Sequence, residues 1–194
     1  MTSRPGGRSA RVRSAVLDAT YAELAVHGYP GLTVENIAER AGVHKTTVYR
    51  RWGAIDVLLA DALDYARDTE WPVPDTGSVE GDLTAIADEV ATAFGDPGGR
   101  TVPEAVVAAA FQSTRAAESL REFYAVRHEQ AAQVVVRAVE RGELPAGTDP
   151  VDLVRLACAP LYYRIFITRE PVDTAVVERA VRAALAAARA GALA

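Results

Sequence analysis

The feature that most constrains the fold is the stretch from Thr33 to Trp52, TVENIAERAGVHKTTVYRRW, which reads as two short helices on either side of a glycine. Thr33 is a good N-cap, and Glu35 stands in the first turn, where the helix dipole favours an anion. Val34, Ile37 and Ala38 supply one buried face. Gly42 breaks the helix, since glycine accepts backbone conformations that other residues resist. A further helix follows from about His44 to Arg51, with Val43 and Val48 as apolar anchors and Trp52 sealing its end. Ahead of the pair, Ser9 to about His27 carries Val12, Ala15, Val16, Ala19, Ala22 and Val26 at helical spacing and ends at Gly28. Three short helices make a small bundle that closes on a helix-turn-helix.

The remainder of the chain predicts more helices and no convincing strands. A fourth helix is expected from Ala54 to about Glu70 and a fifth around Leu83, Ile86, Val90 and Phe94, closed by the DPGG turn at 96–99. Two prolines and a glycine keep residues 71–78 out of helix. Thr101 and Glu104 suggest a capping box for a sixth helix over about 102–114, and a seventh is expected over about 117–141. Asp149-Pro150 is a strong helix start, and that eighth helix should reach about Thr168 with a bend at Pro160. The last helix, about 173–190, has a ridge of small residues that would let another helix approach closely. The expectation is an all-α chain of about nine helices: a three-helix N-terminal domain over 1–53, with 1–8 as a disordered arm, and a helical domain over 54–194.

Net charge is −5, which at first argues against a nucleic-acid partner. Its distribution argues the other way. Residues 1–52 hold Arg4, Arg8, Arg11, Arg13, Arg40, Lys45, Arg50 and Arg51 against Asp18, Glu23, Glu35 and Glu39, a balance of +4. The rest of the chain stands at −9, so a basic head precedes an acidic body. Lys45, the single lysine, lies in the helix after Gly42. The one cysteine, Cys158, excludes an internal disulfide and suits a reducing cytoplasm. No apolar run approaches the roughly 20 residues that span a bilayer. No hydrophobic segment follows the first arginines, so neither membrane insertion nor a secretory signal is expected.

A helix that reads DNA must be short, anchored on one face and polar on the other. The helix after Gly42 meets this with His44, Lys45, Thr46, Thr47, Tyr49, Arg50 and Arg51, nearly all hydrogen-bond donors. Lys45 or Arg50 suits guanine acceptors, and the threonine methyls suit a thymine methyl. Thr33 suits a phosphate through its hydroxyl and the free N–H groups of the helix start. An ordinary solvated helix face is the bland alternative, and it leaves the glycine turn and the basic asymmetry unexplained.

The segment HGYPGLTVENIAERAGVHKTTVYRRWGAIDVLLADAL resembles the N-terminal domain of TetR-family transcriptional regulators. The resemblance rests on Gly28-Tyr29, Thr33, Ile37-Ala38, Ala41-Gly42-Val43 and Thr47-Val48-Tyr49. More weakly, Ala159-Pro160-Leu161-Tyr162-Tyr163-Arg164 followed by Pro171-Val172-Asp173 looks like the last helix pair of one branch of that family. The resemblance implies a homodimer, paired through its last two helices, whose recognition helices read a palindromic operator in double-stranded DNA. It also implies a C-terminal domain that binds a small-molecule inducer. The family often has an F-x-[ST]-K element after the recognition helix, its lysine on a phosphate. Here Trp52-Gly53-Ala54-Ile55 stands instead, so Arg51, Arg11 or Arg13 would have to supply that contact.

For the inducer, Phe94, Phe111, Tyr124 and Tyr162 fall on helices that line the cavity in similar proteins, with Gln112, Arg115 and His128 as polar additions. An apolar lining suits a hydrophobic or aromatic ligand, and the arginine suits an acid. Each of these residue types is more often plain core or surface than a ligand contact. His27, His44 and His128 are scattered, with no cysteine or acid grouping beside them, so no metal or cofactor is expected, and no catalytic triad or acid pair is present. Cys158 reads as a small buried hydrophobe. Three alternatives stay open: a regulator without an inducer, an activator, and a helical carrier or enzyme with a vestigial helix-turn-helix.

Overall fold

The computed structural model describes residues 7–67, 71–95 and 97–194, with backbone only at 8, 67, 95 and 97–101. Among these residues there are nine α-helices and no strand: α1 Gly7–His27, α2 Val34–Arg40, α3 Lys45–Trp52, α4 Ile55–Arg67, α5 Val79–Gly95, α6 Pro97–Ala110, α7 Thr114–Glu140, α8 Pro150–Tyr162 and α9 Thr174–Arg189. A π-helical turn, Tyr163–Thr168, extends α8. No described helix is long and apolar enough to cross a membrane. The expected arm lies outside the described residues up to Gly7.

The chain packs as two compact units, one from Met1–Thr69 with Thr101–Phe123, the other from Glu70–Arg100 with Tyr124–Ala194. Packing therefore divides the chain along a different line from the functional boundary expected after residue 53. Helix α4 packs on α1 and α3, so it joins the N-terminal helices.

In the first unit the core is Val16, Leu17, Leu24, Ile37, Ala38, Val48, Trp52, Leu58 and Leu59, with Ala105, Ala109 and Ala116 from α6 and α7. The buried face of α1 differs from the apolar stripe expected of it. Val26 is 63% exposed, while Thr20 and Glu23 are buried. Both polar side chains are satisfied: the Thr20 hydroxyl donates to the Val16 carbonyl at 2.8 Å, and Glu23 pairs with Arg40. A search for apolar spacing passes over such positions. Between α2 and α3 the chain makes a Schellman turn, with Gly42 N–H donating to Glu39 O and Val43 N–H to Ala38 O. Gly42 has φ +64, which is the conformation this turn requires.

In the second unit α5, α8 and α9 pack together, with Val134, Val135 and Ala138 of α7 in the same core as Leu83, Leu153, Leu161, Val181 and Leu185. Asp149 caps α8 by accepting from Asp152 N–H at 2.9 Å, and Asp173 caps α9 by accepting from Val176 N–H at 2.9 Å. Helix α6 starts at Pro97, not near 102, so Thr101 and Glu104 do not form a capping box. A proline needs no donor in the first turn, and its preset φ starts the helix despite the glycines that follow. The expected bend at Pro160 takes the form of the π-helical turn. Proline leaves the Leu156 carbonyl without its α-helical donor, and the ladder widens just beyond.

Candidate nucleic-acid interface

The recognition element is built from three local decisions. Thr33 caps α2, its hydroxyl oxygen accepting from Asn36 N–H at 3.2 Å. Its oxygen is thereby engaged within the helix start, and the O–H remains as a donor. The Schellman turn then reverses the chain, and His44, in extended conformation, opens α3. Helix α3 buries Val48 and Trp52 at 1% and 6% exposure and turns the rest outward. His44, Lys45, Thr46, Tyr49, Arg50 and Arg51 are exposed and Thr47 is half-buried, so the residues expected to read DNA share one solvent face. His44 Nδ1 lies 2.9 Å from the Thr46 hydroxyl, which orders the start of that face.

One acid enters this face that its helix-dipole role alone did not place there. Glu35, in the first turn of α2, meets the Lys45 ammonium at 3.5 Å, with both side chains more than half exposed. The pair contributes little to stability in that setting. Its position beside the only lysine is what matters for DNA.

The arginines divide into two groups. Arg11, exposed, donates to the Gly7 carbonyl at 3.0 Å within α1. Arg51 donates to the Ser9 hydroxyl at 3.1 Å and lies over the Trp52 ring, bringing the start of α1 beside the end of α3. Arg13 behaves differently. Its guanidinium is engaged by Asp61 of α4 through both oxygens, and it stacks over Tyr65. Its side chain is 30% exposed, so Arg13, expected to contact phosphate, is held in a cross-helix ion pair. Asp61 also accepts the Trp52 indole N–H at 2.8 Å. Burial pushes the Asp61 carboxyl up, but hydrogen bonds from Arg13 and Trp52, with the charges of Arg13 and Arg51, outweigh it and hold the group below its usual value.

The second unit holds an aromatic cluster from α5, α7, α8 and the π-helical turn. Tyr162 meets Phe94 edge-on at 5.5 Å and Tyr124 edge-on at 6.0 Å, while Tyr124 stacks on His128 at 5.8 Å. Phe166, absent from the expected set, completes it at 5.7 Å from Phe94 and 6.2 Å from Tyr162. It lies four residues after Tyr162, the helical spacing that could have revealed it. Burial, and then the Arg155 charge, push the His128 pKa down, which favours the neutral imidazole. Cys158 is buried in the same unit, and burial pushes its thiol up to about 12, as befits an inert hydrophobe. Phe111, Gln112 and Arg115 belong to the first unit instead. Phe111 is 88% exposed at the end of α6, Gln112 is exposed, and Arg115 pairs with Asp64 at 3.1 Å. The cluster thus forms without these three. Among the described residues no group of three or more side chains suits a metal ion.

A short polar α3 projected from a three-helix bundle defines a helix-turn-helix DNA-binding protein. Residues 16–62 match the family described as bacterial regulatory proteins, tetR family, and residues 73–184 match the tetracyclin repressor-like C-terminal domain. The chain belongs to the TetR family of transcriptional regulators. It is 36% identical over 166 residues to the HTH-type transcriptional regulator AqdR of Rhodococcus erythropolis, covering 86% of this chain and 79% of that one. It is 30% identical over 170 residues to the HTH-type transcriptional regulator YdeS of Bacillus subtilis, covering 88% and 86%. The crystal structure of the TetR family transcription regulator SCO0332 superposes with a TM-score of 0.72 at 31% identity, covering 90% of this chain and 97% of that one. Members of this family are regulators that bind DNA and form dimers; they are not enzymes, and the chain is a transcriptional regulator of that kind.

Proposed function

We propose that the chain is a homodimeric repressor that reads a palindromic operator through α3 and leaves it when a small ligand binds the second unit. The observation that carries the DNA half is the α3 face, with its lysine, two arginines, histidine, threonines and tyrosine outward over two buried anchors. Two such helices about 34–36 Å apart fit successive major grooves. In support of pairing through α8 and α9, a groove runs along these helices lined by Ala159, Pro160, Val176, Ala180 and Ala183, with Tyr163, 58% exposed, and the charged Arg164, Glu170 and Arg179 also in its walls. Small residues there allow close approach of a second copy. In support of ligand release, Phe94, Tyr124, His128, Tyr162 and Phe166 offer aromatic surface with hydroxyls and a neutral imidazole, which suits an uncharged aromatic ligand. A ligand that binds one arrangement of the dimer better than another lowers DNA affinity by that difference. A repressor of this kind would act on its DNA in the cytoplasm.

Selection of duplexes from a random pool tests this, followed by titration of the selected duplex against salt and against a panel of aromatic compounds. A palindromic consensus, a steep salt dependence and release by one class of compound are expected. A carrier with a vestigial helix-turn-helix would enrich no consensus, and a regulator without an inducer would keep its affinity across the panel.

A further inference from the structure

Asp61 stands on α4, yet its carboxylate serves two other helices. Oδ2 accepts from the Trp52 indole at the end of α3 at 2.8 Å, and Arg13 of α1 donates through Nε to Oδ2 at 3.1 Å and through a terminal nitrogen to Oδ1 at 2.5 Å. Tyr65, one turn further along α4, lies beneath that guanidinium, 5.6 Å from ring centre to Arg13 Cζ. The pair is largely shielded, with Arg13 30% and Asp61 25% exposed, so water competes poorly for these bonds.

Helix α3 has eight residues, about two turns, and its buried anchors are Val48 and Trp52. Apolar contacts are non-directional and leave such a helix free to roll. A hydrogen bond from the rigid indole removes that freedom, because rotation about the helix axis breaks it. Reading base edges needs side chains held to about 0.5 Å and 10–20°. We infer that Asp61 is a positioning residue for DNA reading: through Trp52 and Arg13 it fixes the roll of α3 on α1 and α4 and so sets discrimination between sequences without touching DNA. This rests on the DNA-reading part of the proposal above.

A cross-link that merely held the unit together would act through the folded fraction and weaken every duplex alike. Positioning acts on base contacts and spares the phosphate contacts, which carry non-specific binding. The test uses the full chain, a duplex selected from a random pool by the wild type, and a scrambled duplex of the same length, each titrated at several salt concentrations. Asp61→Asn and Trp52→Phe are compared singly and together, with the folded fraction followed by circular dichroism. The expected result is about tenfold weaker binding to the selected duplex, the loss of roughly one base contact. Binding to the scrambled duplex and the salt slope should stay the same, and the double variant should be no worse than the poorer single one. Equal weakening on both duplexes, no weakening on either, or additive losses in the double variant would overturn the inference. If the wild type enriches no duplex at all, the DNA-reading proposal falls, and this inference falls with it.

Discussion

Glu23 is a deeply buried acid of the first unit, and it predicts an asymmetry between two variants. Its side chain is 6% exposed, with Oε1 at 2.5 Å from Arg40 Nε and Oε2 at 3.4 Å from His27 Nε2. Its partners Arg40 and His27 are far more exposed, at 44% and 45%. Replacing Arg40 by Met leaves a buried carboxylate with His27 as its remaining partner. Breaking a fully buried pair costs about 3–5 kcal/mol, and the shallow polar cleft beside Glu23 admits some water, so about 2–3 kcal/mol is expected. Replacing Glu23 by Gln removes the buried charge instead. The amide oxygen still accepts from Arg40, the exposed Arg40 guanidinium is readily hydrated, and the cost is about 1 kcal/mol. The double variant should be no less stable than Arg40→Met alone, because the second change relieves the orphaned charge. Urea unfolding followed by Trp52 fluorescence, in a Trp71→Phe background so that the signal reports the first unit, measures all three. A Glu23→Gln variant as costly as Arg40→Met would refute the reasoning, since desolvation of the acid would then not decide the balance.

Lys45→Ala should relax sequence preference and cost about 1–3 kcal/mol on the selected duplex, measured by anisotropy titration against a panel of single-site duplex variants; an unchanged preference removes Lys45 from the base contacts. Ala183→Glu places a charge in the groove along α8 and α9 at a position exposed in the protomer. The protomer should stay folded while light scattering reports half the dimer mass, and a dimer of unchanged mass would exclude this groove as the interface. Because the Asp61 carboxyl is held below its usual value, its contribution to stability is complete above the ordinary carboxylate pKa of about 3.9 and is lost as pH falls through the lower folded value. Acid unfolding of the first unit, again followed by Trp52, should therefore steepen below about pH 4, and Asp61→Asn should flatten that limb.

What was legible in the chain follows how local the physics is. The Gly42 turn, the Asp149 cap and the α3 face all depend on atoms within a few residues, and residue order alone exposes them. Arg13 was not legible, because its partner Asp61 is 48 positions away and an exposed arginine near a basic terminus looks the same in sequence whether it faces solvent or a carboxylate. The Arg115 pairing was hidden in the same way, its partner Asp64 lying 51 positions earlier. Phe111 falls inside the helix expected to reach about 114, yet α6 stops at Ala110 and the side chain is left exposed. The start of α6 is hidden in the sequence because a glycine pair, which favours a turn, directly follows the proline that opens the helix.

These pairings change what the basic head means. A balance of +4 over residues 1–52 treats every cation as available to phosphate. Arg13 and Arg40 are instead neutralised by Asp61 and Glu23 at short range, where they orient α1, α2 and α4, and Lys45 faces Glu35. Arg11 donates to the neutral Gly7 carbonyl and Arg51 to the neutral Ser9 hydroxyl, although the Arg51 charge also acts on Asp61. Arg50 is exposed beside them on α3. The positive field is therefore narrower than the composition implies and is centred where the start of α1 meets the end of α3. On the DNA-reading proposal, Arg11 and Arg51 are the cations that would make the phosphate contact of the missing serine- or threonine-lysine element. Lys45, tethered to Glu35, is better suited to selecting a base than to holding the backbone, because an acid beside it opposes any phosphate that approaches without the compensation of a correct base contact.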